Sequence, residues 1–254
     1  MTMKENSSEV TKYIQIAEKN YRQGNIYQAN EIYKKLINQK IFTHDLLISY
    51  GIFNREINNL KIAKNLFTLS IKKFPIKINS YILLAEILRK ENNVSDAIKA
   101  LHAAKKIEKF NSDIEYNLSI SYKTIKLFKK AILSIDSAIE KQPDNQIYKI
   151  LKADILVESF HNEEAKEILL NLKFKKDSLL YFQKEILISK LFINQKNYRL
   201  AEKVLLALRK SFSKQKVLYL NFSDLYFKNK ELEKGISILK EGIKYFPKFI
   251  PLRF

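Results

Sequence analysis

Apolar residues recur along the chain at spacings of three and four. From Asn59 to Pro75, NLKIAKNLFTLSIKKFP, the residues Leu60, Ala63, Phe67 and Ile71 share one helical face, with polar residues between them. Phe74-Pro75 closes the stretch, because proline lacks an N–H and clashes with the preceding turn. The same phrase returns as LFKKAILSIDSAIEKQP (127–143) and ELEKGISILKEGIKYFP (231–247). The pattern predicts amphipathic helices throughout, with no strand alternation.

The copies are spaced by multiples of 34 residues, with two extra residues before the last. Counted in that period, repeats begin at Val10, His44, Ile78, Ser112, Gln146, Phe182 and Lys216, and Leu180 and Tyr181 are the insertion. Phase 8 reads Ala17, Gly51, Ala85, Ser119, Ala153, Ser189, Ser223, and phase 20 reads Ala29, Ala63, Ala97, Ala131, Ala165, Ala201, Gly235. Small residues held in phase, in a chain poor in them, mark where two helix backbones meet closely. Large apolar residues fill phase 24, from Tyr33 and Phe67 to Leu239, and phase 17 is apolar except at Asn162. Three of the four prolines (Pro75, Pro143, Pro247) stand at phase 32, and Gly24 stands at phase 15. Each repeat is therefore read as two amphipathic helices, buried on each other and on the next repeat.

These phases resemble the tetratricopeptide repeat (TPR) family over residues 10–249. The family's Trp at phase 4 is replaced by Tyr13, Leu47, Tyr81 and Tyr219, and by charged Glu115, Lys149 and Glu185. Lys152 also takes a core phase. The resemblance implies an all-α, right-handed α-solenoid of about seven helix-turn-helix units, with a concave groove lined by the first helices. A polar segment at 1–9 would precede it and a tail at 250–254 would follow.

Composition changes this picture little. The net charge is +19, nearly all from lysine, and Ile, Lys, Asn, Phe and Tyr are abundant, as an AT-rich genome imposes on any protein. The excess is nonetheless uneven: repeats four and five are neutral and the ends are basic. An acidic partner or nucleic acid fits such a charge, but drift predicts only weak, salt-sensitive nucleic-acid binding. There is no cysteine, no signal-peptide run and no segment apolar enough to span a membrane, so a cytoplasmic location is expected.

Catalytic chemistry is not visible. His44, His102 and His161 fall at different phases, and four scattered glycines make no phosphate loop, so no enzyme activity, metal or cofactor is expected. Lys72-Lys73, Lys105-Lys106 and the pair Glu163-Glu164 are read as helix-end charges.

In TPR proteins the ligand usually touches phases 2, 5, 9, 12 and 13. Phase 5 here is apolar in every repeat, through Ile48, Ile82, Tyr116, Ile150, Ile186 and Leu220 after Ile14. Phases 9, 12 and 13 add Ile52, Glu86, Ile120 and Lys190, with Arg55, Arg89, Lys90 and Lys123. These residues are the candidate groove for a peptide or helix with apolar anchors. The competing reading places phase 5 in the core. The Lys and Asn pattern by which some TPR proteins clamp a chaperone's terminal carboxylate is absent. An RNA-binding helical repeat is the rival class, although an isoleucine ladder reads bases poorly. An accessory region for a separate enzyme is a third. At the C-terminal end, Ile236, Leu239, Ile243 and Phe246 lack a covering helix. Either residues Phe249–Phe254 fold back over them or the face self-associates with another chain.

Overall fold

The computed structural model describes residues 3–247, all helix and turn, with no strand among them. The chain divides into two compact halves, Met1–Lys126 and Leu127–Phe254. In the first half, α1 (Met3–Arg22) pairs with α2 (Ile26–Asn38), α3 (His44–Glu56) with α4 (Leu60–Lys73), and α5 (Ile78–Lys90) with α6 (Val94–Ile107), and α7 (Ser112–Thr124) packs on α6. The second half opens with α8 (Phe128–Lys141), packed on α9 (Gln146–Glu158). There α9 pairs with α10 (Asn162–Asn171), α11 (Leu179–Asn194) with α12 (Tyr198–Phe212), and α13 (Lys216–Lys228) with α14 (Leu232–Tyr245).

All seven second helices begin on the phase-17 residue, and five first helices begin on phase 1. The exceptions have local causes. Helix α1 starts at Met3, seven residues ahead of Val10, and α11 starts at Leu179 and absorbs the two-residue insertion. Ser178 caps α11 there, its hydroxyl accepting from the Tyr181 N–H at 3.1 Å.

The phase-8 and phase-20 residues are buried in every repeat, and Ala17, Ala63, Ala97 and Ala201 have no exposed surface. At Gly51 an added Cβ would stand 2.8 Å from Phe67 Cδ1, and nearer still to Cε1. The phase-24 ring of α4 thus occupies the space that a side chain on α3 would need. Gly235 stands likewise against Phe227, 2.6 Å from Cε1.

Every hairpin turns through a left-handed residue at phase 15: Gly24 (φ 83°), Asn58, Asn92, Lys126, Phe160 (φ 62°), Lys196 and Lys230. Two backbone bonds hold the turn. In repeat three, the Asn92 N–H donates to Arg89 O at 3.0 Å and the Asn93 N–H to Leu88 O at 2.8 Å, the Schellman arrangement. Only Gly24 adopts this conformation without steric cost; a side chain there costs roughly 1–2 kcal/mol. Replacing Phe160, Lys196 and Lys230 together by glycine is therefore expected to raise stability by about 2 kcal/mol, after allowing for glycine's freer unfolded chain. Gly24→Ala should lower stability by about 1 kcal/mol, since nothing crowds that position and only the backbone objects. Thermal or urea melts of the two variants check both signs.

Glu115 at phase 4 and Lys152 at phase 7 find partners. Glu115 is 5% exposed and pairs with Lys105 of the preceding hairpin, so Lys105 is not the freely solvated helix-end cation that its position in the sequence suggests. Lys152 bridges Asp136 (2.9 Å) and Glu164 (3.1 Å). Burial opposes its charge, but the two carboxylates outweigh that and raise its pKa. At two phase-4 tyrosines the hydroxyl donates to the phase-32 carbonyl of the preceding repeat: Tyr81 to Pro75 (3.0 Å) and Tyr219 to Ser213 (2.9 Å).

On α14, Leu239 is buried and Phe246 lies edge-on to Tyr219, whereas Ile236 is 49% exposed. The tail residues 249–254 lie outside the described residues. No helix among the described residues is long and apolar enough to cross a membrane.

Candidate functional site

In the first half the first helices bring one set of candidate residues into a row. Ile48 and Ile52 of α3 are half-buried against the cluster of Ala63, Phe67 and Ile87, and Ile82 of α5 is half-buried against the cluster around Ala85 and Leu101. Tyr116 and Ile120 of α7 are also half-buried, and Lys90 is exposed. These residues border the core with one side and solvent with the other.

Other repeats differ, and Ile14 of α1 is already buried in its core cluster. Ile150 and Ile186 are buried in the core clusters of their hairpins, so they offer little surface to a partner. Leu220 is half-buried, and Lys190 Nζ stands 3.9 Å from Asp154 Oδ1. Phase 5 is therefore border in some repeats and core in others.

The arginines are engaged within the scaffold. Arg55 Nη1 donates to Glu86 Oε2 at 2.5 Å, and its Nη2 to Glu56 Oε1 at 2.8 Å. Arg89 Nη2 donates to Asn117 Oδ1 at 2.8 Å and Nη1 to Ser121 Oγ at 3.1 Å. Burial pulls the Arg89 pKa down and pushes the Tyr116 phenol up. Both arginines tie one first helix to the next. Lys123 sits half-buried on α7.

A cavity of about 210 Å³ opens between α1 and α3 on the same phases. Ile52 and the rings of Tyr21 and Phe53, which meet edge to face at 5.4 Å, form its apolar wall. Glu18 and Arg22, one turn apart on α1, flank it, and Ser49 Oγ donates to Glu18 Oε1 at 3.2 Å. Tyr33 of α2, only 1% exposed, reaches the cavity from behind. Burial, with the Glu18 charge nearby, raises its pKa and keeps it a neutral O–H. Tyr33 reads as core from its phase, and Ser49 carries no sequence signal. Glu18, Tyr21, Arg22 and Ile52 belong to groove phases with a legible apolar or charged character.

The histidines go to separate places. His44 Nε2 lies 3.4 Å from Ser80 Oγ, His102 Nε2 lies 3.0 Å from the Tyr122 hydroxyl, and His161 Nδ1 lies 2.9 Å from Ser159 Oγ. Among the described residues, no three His, Asp or Glu gather as metal ligands would.

No family model and no curated protein matches the sequence. Solved structures do match. A tetratricopeptide repeat protein from Parabacteroides merdae is 14% identical, with a TM-score of 0.81 over 97% of this chain and 96% of its own. PilF of Pseudomonas aeruginosa is 13% identical, with a TM-score of 0.64 over 84% of this chain and 96% of its own. The Cut9–Hcn1 hetero-tetramer of the APC/C matches 96% of this chain with 46% of the matched chain, at 15% identity and a TM-score of 0.66. With small residues in phase, left-handed hairpin turns at phase 15 and these structural matches, the chain has the tetratricopeptide-repeat fold.

Proposed function

We propose that this chain is a protein-binding scaffold, and that the first helices of residues 3–126 receive an extended or helical segment of a partner. The observation that carries this reading is the half-buried row of Ile48, Ile52, Ile82 and Tyr116, bounded by charged side chains. Such a surface keeps its apolar atoms partly wet until a partner covers them, and its flanking polar groups orient the partner. Most of those polar groups are already held in place by bonds between helices, which reduces the ordering cost of binding. The match to a hetero-tetramer chain supports a role in assembly.

The test is capture from lysate with and without nuclease, followed by mapping of the captured protein on overlapping peptides. Ile82→Lys is the diagnostic variant. Half-buried, the new side chain has room to carry its charge to solvent, so circular dichroism should be unchanged. Peptide affinity should fall about tenfold or more, as for a truncated central anchor. Unchanged affinity in a folded variant, or capture that nuclease abolishes, would defeat this reading.

A further inference from the structure

The cavity between α1 and α3 holds an unusual combination of groups. Tyr33 is buried, yet among the described residues nothing hydrogen-bonds its hydroxyl, which borders the cavity. No buried side-chain oxygen among the described residues lacks a partner, so this hydroxyl is open to solvent in the cavity, or to a guest that replaces it. Glu18 receives one bond, from Ser49, and has no ion-pair partner among the described residues. Its second oxygen is therefore available. The remaining wall is the Tyr21 and Phe53 rings and the Ile52 side chain.

We propose that this cavity is a subsite for a primary ammonium group, carried by a lysine side chain of the bound segment. The partner part of this statement rests on the groove reading above. An ammonium satisfies both open acceptors and the aromatic wall. One N–H donates to the free Glu18 oxygen and a second to the Tyr33 oxygen, the charge lies beside aromatic rings, and the aliphatic stem covers Ile52. An apolar guest would desolvate the carboxylate and the phenol without replacing their water. An anionic guest would meet the Glu18 charge. Arg22 at the rim acts against a cation, so its removal should help a lysine and harm an acid.

The experiment uses the intact chain with its isoleucine methyls labelled, and the Ile52 methyl signal as reporter. The probes are the N-acetyl, N-methylamide derivatives of lysine, glutamine and aspartate. The lysine probe should shift the Ile52 signal saturably and leave Ile82 unmoved. Its affinity should fall about tenfold in Glu18→Gln, about threefold in Tyr33→Phe, and rise in Arg22→Gln. Circular dichroism confirms that each variant is folded. The proposal is overturned if the lysine probe gives no saturable shift, if glutamine or aspartate binds as well, or if Glu18→Gln leaves affinity unchanged. A failed probe with intact protein capture removes the subsite alone. A bound probe without nuclease-resistant capture supports the ammonium site and removes the groove reading.

Discussion

Lys105→Ile should destabilise the chain by about 3 kcal/mol, while the double variant Lys105→Ile, Glu115→Leu should return to within about 1 kcal/mol of the parent. The single change strands a carboxylate that is 5% exposed and removes the cation that compensates it. The magnitude is set at the low end for a broken buried pair, because Lys105 keeps a 39% exposed side chain and the gap admits some water. The double variant copies an arrangement the chain already uses, since phase 4 of repeat two is Leu47, fully buried, and phase 28 before it is Ile37. Urea unfolding of both variants decides the matter. A single variant as stable as the parent would show that Glu115 is solvated.

The second large effect is expected where helices touch. Ala97→Leu should cost about 3 kcal/mol, near the upper end for overpacking, because its cluster companions Ala85, Leu101 and Ala104 have no exposed surface and no space to yield. Gly51→Ala should cost less, about 1–2 kcal/mol, since alanine's helix preference offsets part of the collision with Phe67. Adding Phe67→Leu to Gly51→Ala recreates the Ala85 and Leu101 pair of repeat three and should recover most of the loss. Thermal midpoints of the four proteins measure this. Equal midpoints for Ala97→Leu and the parent would mean that the repeat register does not describe the packing.

The hairpins were legible because packing places rare residues in phase, and composition drift does not. The first residue of every second helix follows from phase 17 alone. The left-handed turn was visible at Gly24 and hidden elsewhere, because asparagine, lysine and phenylalanine adopt it here without announcing it. The Glu115 pair had only a local signal: apolar Leu47 follows Ile37 and charged Glu115 follows Lys105, but charged Lys149 follows Ile139, so the pairing is not general. Whether phase 5 faces solvent was not legible. Ile82 and Ile186 are the same residue at the same phase, yet one is half-buried and the other core. Arg55 and Arg89 looked like charges for a ligand because a sequence shows donors without their acceptors 28 to 32 residues away.

Those distances along the chain have a kinetic meaning. Asn194 reaches back 37 residues to the Val157 carbonyl, and no tie between helices described above spans more. Each hairpin needs only its immediate neighbours, so closing the loops costs little entropy and contact order stays low. Folding within each half can begin at any hairpin and spread stepwise. Loss of an outer hairpin removes one interface and leaves the next intact. Hydrogen exchange should accordingly show a gradient, fastest at Ile26–Asn38 and slower at Val94–Ile107, in place of one shared opening. A gene encoding such a chain can gain or lose whole 34-residue modules without redesigning what remains.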